Sequence, residues 1–208
     1  MTTTGENGQA HWNDVYVSKG DAGVSWFEPI PTTSLDLIRR LAVPASASVV
    51  DIGGGASHLV DSLLEDGFAA VTVLDLSAAA LEASRRRLGA NAEKVEWVVA
   101  DVTQWQPTRR FDLWHDRAAF HFLTESGKRD AYVERLRMAL RPGGHAIIAT
   151  FAPDGPERCS GLPVVRYEPA ALADAIGAPF RLIDERRCLH TTPWGSVQAF
   201  QYSVLERS

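Results

Sequence analysis

Ser48-Val49-Val50-Asp51-Ile52-Gly53-Gly54-Gly55-Ala56-Ser57 decides the fold. An apolar β-branched run closes on a carboxylate, breaks into three glycines and leads at once into a helix-like segment, His58 to Glu65. That order describes a buried parallel strand, a tight turn whose backbone can approach a ligand, and the start of a helix. A loop built for pyrophosphate wants amide donors and a helix N-terminus, and gains nothing from a fixed negative charge beside them. Asp51 suits a ligand that carries positive charge or many donors, a cationic nucleoside for example. A dinucleotide fingerprint needs glycine at its first, third and sixth positions. Counted from Gly53, the sixth is His58.

Two further apolar runs end the same way. Val71 to Leu74 leads into Asp75, placed where a carboxylate can grip both hydroxyls of a ribose. Val95 to Ala100 leads into Asp101. Each aspartate alone is a common helix cap. Three in register on one edge of a parallel sheet point to a shared ligand site. Strands and helices alternate through the core: strand 48–52, helix 58–66, strand 70–75, helix 78–88, strand 94–99, strand 111–115, helix 126–140, strand 144–151. After Phe151 the pattern becomes a loop to Val165, a short helix 168–176 and two strands, 180–188 and 196–205. The fold class expected is α/β: a doubly wound, mostly parallel seven-stranded sheet closed by an antiparallel C-terminal pair.

Asp51-Ile52-Gly53-Gly54-Gly55, Asp75-Leu76-Ser77, Ala100-Asp101-Val102, Phe111-Asp112-Leu113-Trp114 and Leu140-Arg141-Pro142-Gly143-Gly144-His145 resemble, in order, the motifs of class I S-adenosylmethionine-dependent methyltransferases. The likeness runs from about Ser48 to Phe151, and the Leu-Arg-Pro-Gly-Gly turn is its most specific piece. The family's usual third glycine is Ser57 here. The resemblance implies S-adenosyl-L-methionine as cofactor and S-adenosyl-L-homocysteine as product. It places Asp51 near the methionyl amine, lets the loop of Gly53, Gly54 and Gly55 pass the cofactor, and puts Asp75, with Leu76 and Ser77, at the ribose. It sets Asp101 and Val102 against the adenine.

The bulk numbers agree with one domain over 1–208: an N-terminal helical or lid segment 1–45, a cofactor-binding core 46–151, and a substrate loop with closing strands 152–208. Hydrophobic residues make up 45%, which is enough for a sizeable core. No apolar run approaches the roughly 18 residues of a membrane span. The polar start, Met1 to Ala10, is no secretory signal. Met1 to Gln9 reads as a disordered lead. Two cysteines without a CxxC argue against a disulfide framework and against a metal site, and fit a cytoplasmic location. A net charge of −5 and the lack of a long basic run argue against nucleic acid as the substrate. Arg85-Arg86-Arg87 reads as a solvated helix face.

Methyl transfer needs an aligned nucleophile, a dry site and, for a protonated nucleophile, a base. Candidates cluster in Trp114-His115-Asp116-Arg117-Ala118-Ala119-Phe120-His121-Phe122, at the end of the fourth strand. His115, Asp116 and His121 are the candidate catalytic residues, His115 also as a cofactor contact. The bland readings are that Asp116 caps the following helix, Arg117 pairs with Asp116 or Asp112, and His121 is a core histidine on the same side as Arg117. The segment lacks the Asn/Asp-Pro-Pro-Tyr/Phe signature of nucleic-acid amino-methyltransferases. Thr32-Thr33-Ser34 offers a cap for a helix over 35–41.

Trp12, Tyr16, Trp26 and Phe27 precede the core as a lid or as a hydrophobic staple, with Tyr16, Lys19 and Trp26 as candidate contacts to cofactor or substrate. Cys159, Arg166, Tyr167 and His190 lie on segments that shape an acceptor site. The function expected is methyl transfer to a small molecule at sulfur, oxygen or nitrogen, by a monomer or homodimer that binds neither nucleic acid nor membrane. A protein lysine methyltransferase, a cofactor-binding module without transfer activity and an NAD-dependent oxidoreductase are the alternatives.

Overall fold

The structure, a computed structural model, describes residues 4–20 and 22–208. The chain runs α1 (Thr4–Lys19), α2 (Thr32–Arg40), β1 (Ser48–Ile52), α3 (Leu59–Glu65), β2 (Ala70–Asp75), α4 (Ala78–Leu88), β3 (Val95–Val99), β4 (Phe111–Arg117), α5 (Ser126–Ala139), β5 (Leu140–Phe151), α6 (Pro169–Ile176), β6 (Phe180–Thr191) and β7 (Val197–Arg207). A two-residue ladder, Arg158–Cys159 with Leu162–Pro163, pins the loop between β5 and α6.

The sheet order is β3-β2-β1-β4-β5-β7-β6. β1 to β5 run parallel, and β7 pairs antiparallel with both β5 and β6. The doubly wound reading therefore holds, with its antiparallel pair. Both faces of the central strands are covered, which is why β1 is buried throughout. Side chains alternate with period two. Val49 and Leu113 pack with Leu35, Ile38 and Leu59 on one face. Val50, Ile52 and Trp114 pack with Tyr132, Leu136 and Leu172 on the other. β1 feeds β2 on one side and neighbours β4 on the other, so strand order reverses between them. Ligands of open α/β sheets sit outside the carboxyl ends of the strands at such a point.

Three expectations are corrected. Thr4 to Gln9 is part of a 16-residue helix and not a disordered lead, while Met1 to Thr3 lie outside the described residues. Thr32-Thr33-Ser34 does not cap α2; these residues form its first turn, preceded by Pro31, with no side-chain cap bond. Arg87 is no solvated arginine. It holds Asp61 at 2.7 Å and donates to the carbonyls of Ala56 (3.0 Å) and Ser57 (2.8 Å), so it fixes the segment that follows the glycines.

Candidate active site

A cavity of about 260 Å³ opens at the carboxyl ends of β1, β2, β3 and β4. Of the sequence candidates, Tyr16, Trp26, Asp51, Gly53, Gly54, Asp75, Leu76, Asp101, Val102 and His115 line it. Gly55, Ser77, Asp116 and His121 are not among its lining residues.

The glycine turn follows from what its backbone must do. Gly53 takes φ +66°, a left-handed conformation that other residues rarely adopt, and its N–H donates to the Leu74 carbonyl at 2.8 Å. At Gly54 a Cβ would lie 2.5 Å from Asp51 Oδ2 and 2.7 Å from a Val73 methyl. Gly54→Ala should therefore destabilise by about 1–3 kcal/mol. Thermal melting checks this, and an unchanged melting temperature would show that the turn can open.

Asp75 is buried beside the turn. Its Oδ1 accepts from Ser77 N–H at 2.7 Å, and Ser77 Oγ caps α4 by accepting from Ala80 N–H at 3.1 Å. Ser77 thus positions Asp75 without facing the cavity. Burial pushes the Asp75 carboxyl up to about 7, with backbone donors pulling it down and the neighbouring Asp51 adding to the rise. Asp101 accepts from Thr103 N–H at 2.8 Å and from its hydroxyl at 2.7 Å.

His115 and Asp116 part company. They are adjacent on a strand, so they point to opposite faces. His115 lies in register with Asp51 on the neighbouring strand and on the same face. Its Nδ1 is 2.7 Å from Asp51 Oδ1 and its Nε2 is 2.9 Å from Ser34 Oγ. A carboxylate only accepts, so Nδ1 carries a proton toward Asp51; in the neutral ring Nε2 then accepts from the Ser34 hydroxyl. Asp51 and His115 are 2% exposed and Ser34 is fully buried, so water does not compete for these bonds. Ser34 carries no sequence signal; only the fold brings it to His115.

On the other face Asp116 accepts from Tyr132 Oη at 2.7 Å and from the N–H groups of Ala119 (2.8 Å) and Phe120 (3.1 Å). It caps the turn after β4 and ties that turn to α5. Burial raises its carboxyl to about 6, against the pull of those donors. His121 is fully buried beside Phe122 (4.4 Å) and Phe151 (4.9 Å), with neither ring nitrogen bonded among the described residues. The backbone after Arg117 passes through Ala118 at φ +70° into a short 3-10 turn, so the helical spacing expected between Arg117 and His121 does not apply.

Burial lowers His121 to about 3. An unfolded chain takes up a proton on this side chain near pH 6.5, and the folded protein does not, so His121 withdraws stability as pH falls from about 6.5 toward 3. His121→Phe should match the parent at pH 8 and exceed it at pH 5 in urea unfolding. Full stability with lost activity would instead give His121 a chemical role.

Helix α1 and the loop after it close the cavity. Asn13 Oδ1 accepts from Ser77 Oγ at 2.8 Å and so docks α1 on α4. Tyr16 Oη accepts from Trp26 Nε1 at 3.3 Å, and Trp12 stands edge-to-face to Trp26 (5.7 Å) and Phe122 (5.0 Å). Burial and the Asp75 charge push the Tyr16 hydroxyl up. Arg117 pairs with neither Asp112 nor Asp116. Its guanidinium donates to the Trp26 carbonyl at 2.8 Å and lies 3.6 Å from Glu28. His190 bonds the Ser25 carbonyl at 2.6 Å and Glu28 at 3.2 Å, bracing the same segment. Cys159 and Leu162 supply a wall from the loop after β5, whereas Lys19 does not line the cavity. Arg166 pairs with Glu157, and Tyr167 packs on Phe120. No group of metal-ligating side chains forms among the described residues, and no helix among them is long and apolar enough to cross a membrane.

A sequence model of the methyltransferase domain matches residues 49–144, the segment that supplies β1 to the start of β5. A trans-aconitate 2-methyltransferase of Rhizobium etli is 33% identical over 177 residues, covering 83% of this chain and 62% of that protein. One from Paracidovorax citrulli is 36% identical over 123 residues, covering 57% of this chain and 44% of that protein. The chain thus spans about half the length of the curated relatives it matches. The solved Burkholderia thailandensis 1,6-didemethyltoxoflavin-N1-methyltransferase, with 1,6-didemethyltoxoflavin and S-adenosylhomocysteine bound, superimposes with a TM-score of 0.74 at 23% identity, over 100% of this chain and 92% of that one. Sheet order, the carboxylate-edged glycine turn and these matches agree: the chain belongs to the class I S-adenosylmethionine-dependent methyltransferases.

Proposed function

We propose that this chain transfers a methyl group from S-adenosylmethionine to a small-molecule acceptor by in-line displacement. The observation that carries the reading is the convergence of Asp51, Asp75 and Asp101 on one cavity around the glycine turn. The residues fit the cofactor. A Cβ at Gly54 would press on the Asp51 carboxylate at the cavity wall, and the buried Asp75 carboxylate at the same wall is held in place by the backbone N–H groups of Ser77, Gly55 and Leu76. When bound, the cofactor supplies an electrophilic methyl group on a sulfonium.

The chain's own residues then bind, orient and exclude water. Asp75 would accept from the ribose hydroxyls. Leu76, Asp101 and Val102 would flank the adenine, and Gly53 and Gly54 would let the turn pass close to the ligand. Asp51 would face the methionyl amine, with His115 and Ser34 holding its carboxylate in place. Tyr16, Trp12 and Trp26 would cover the opening and keep the site dry, which strengthens each polar contact inside. Asp116 and His121 do not line the cavity and are assigned no step.

The relatives named for trans-aconitate, a tricarboxylate, and the neighbour solved with a flat heterocycle both act on small molecules, which supports that acceptor size here. Incubating the purified chain and S-adenosylmethionine with panels of thiols, phenols, amines and carboxylic acids, and following S-adenosylhomocysteine by mass spectrometry, tests the reading. One class should give methylated product in equal amount to the homocysteine derivative. Binding of the cofactor with no turnover on any panel would favour a module without transfer activity.

A further inference from the structure

We propose that the acceptor is a flat aromatic or heteroaromatic molecule that attacks through a lone pair already free of a proton, a thiolate or a ring nitrogen. This rests on the methyl-transfer reading above and narrows it to a substrate class.

The apolar and aromatic part of the lining carries the first argument. Trp12, Trp26, Phe122, Leu123, Cys159 and Leu162 line the cavity. The edge-to-face pairs of Trp12 with Trp26 and with Phe122 form an aromatic corner, a setting that another π system extends. Charge carries the second. Two cations, Arg117 and Lys128, line the cavity among the described residues. Arg117 is spent on the Trp26 carbonyl and Glu28, and Lys128 lies 3.3 Å from Glu125. A tricarboxylate would find no unpaired cation among the described residues lining the cavity to hold it.

The third argument concerns the proton. Both ring nitrogens of His115 are engaged, and His121 does not line the cavity. The Cys159 thiol is pushed up to about 11 by burial, and the Tyr16 hydroxyl is raised as well, so neither accepts a proton from the acceptor at neutral pH. No described group at the acceptor end serves as a general base. A neutral alcohol must lose a proton as it reacts; a thiolate or ring nitrogen need not. The acceptor lone pair forms the new bond to the methyl carbon while the carbon–sulfonium bond breaks. That bond's electron pair returns to sulfur, leaving a neutral thioether on the cofactor. A thiolate ends as a neutral methyl thioether and a ring nitrogen as an N-methyl cation, and no proton moves in either case.

The test begins with calorimetry of S-adenosylhomocysteine on the full chain. If no heat is seen, the methyltransferase reading itself falls, and this proposal with it. With that ligand saturating, substituted thiophenols, 4-methylpyridine and trans-aconitate are titrated while tryptophan fluorescence is followed. Saturable quenching by one or both aromatic probes and none by trans-aconitate is expected, the two aromatic arms separating sulfur from nitrogen. The reverse pattern would overturn the proposal. Trp12→Ala should weaken the aromatic probe at least about tenfold, in line with the loss of an aromatic contact, and Trp12→Phe should restore most of it. Wild-type affinity in a folded Trp12→Ala variant would also overturn it. Across thiophenols of different acidity, the pH midpoint of transfer should follow the thiol. A midpoint fixed at one pH for every acceptor would reveal a base on the protein and contradict the proposal.

Discussion

Asp75→Ala lowers the affinity for S-adenosylhomocysteine at least about 100-fold, because each hydrogen bond to a charged group contributes roughly 1.5–3 kcal/mol and the ribose offers two donors. The carboxylate is buried and its Oδ1 is already fixed by Ser77, so little ordering remains to be done when ligand arrives. The same residue gives binding a pH signature. In the ligand-free protein burial holds this carboxyl near 7, whereas hydroxyl donors favour its charged form. Binding below pH 7 therefore expels a proton, and affinity should rise by up to about tenfold per pH unit between pH 5 and 7, then level off. Asp75→Asn should flatten that profile. The stability effect has the opposite sense. A carboxyl raised in the folded state binds a proton that the unfolded chain has lost, so the ligand-free fold loses stability as pH rises from about 4 to about 7. Asp75→Asn should thus be no less stable than the parent at pH 8, which separates a binding defect from a folding one.

His115→Phe should cost about 2–5 kcal/mol of stability, because two buried polar groups each lose a hydrogen-bond partner at roughly 1–3 kcal/mol apiece. It strands the Asp51 carboxylate at 2% exposure and leaves the fully buried Ser34 hydroxyl without its imidazole partner. Ser34→Ala removes a single hydroxyl and should cost only about 1 kcal/mol. Urea unfolding reads both. If His115→Phe unfolds at the parent's midpoint, the chain from Ser34 through His115 to Asp51 does not hold the fold. His115→Asn keeps one donor for Asp51 and should retain more cofactor affinity than His115→Phe, as expected if His115 acts by positioning that carboxylate.

The strand ends were readable because chemistry and periodicity coincide there. Asp51, Asp75 and Asp101 each close an apolar run, and all three face one cavity. The Leu-Arg-Pro-Gly-Gly motif located β5, although the strand starts at Leu140 and includes the motif, four residues before the expected start at 144. What stayed hidden depends on partners far away in the chain. The Ser34–His115 bond joins residues 81 apart, and nothing local in α2 announces it. Period-two alternation was enough to separate His115 from Asp116, once the segment proved to be strand through Arg117 and not a helix start. The first half of α1, with Gly5, Asn7 and Gly8, has poor helix propensity. Its docking through Asn13, Trp12 and Tyr16 overrides that preference, and tertiary packing of this kind leaves no local signature. Arg87 looked solvated because its neighbours Arg85 and Arg86 are; its acceptors Ala56, Ser57 and Asp61 belong to the loop after the glycines and to α3.

The most direct measurement is isothermal titration calorimetry of the purified chain with S-adenosylhomocysteine, S-adenosylmethionine and NAD, at pH 8 and pH 6. Saturable heat with the first two, weaker at pH 6, and none with NAD is the expected result. Heat with NAD alone would contradict the assignment of the cavity from Asp51 onward.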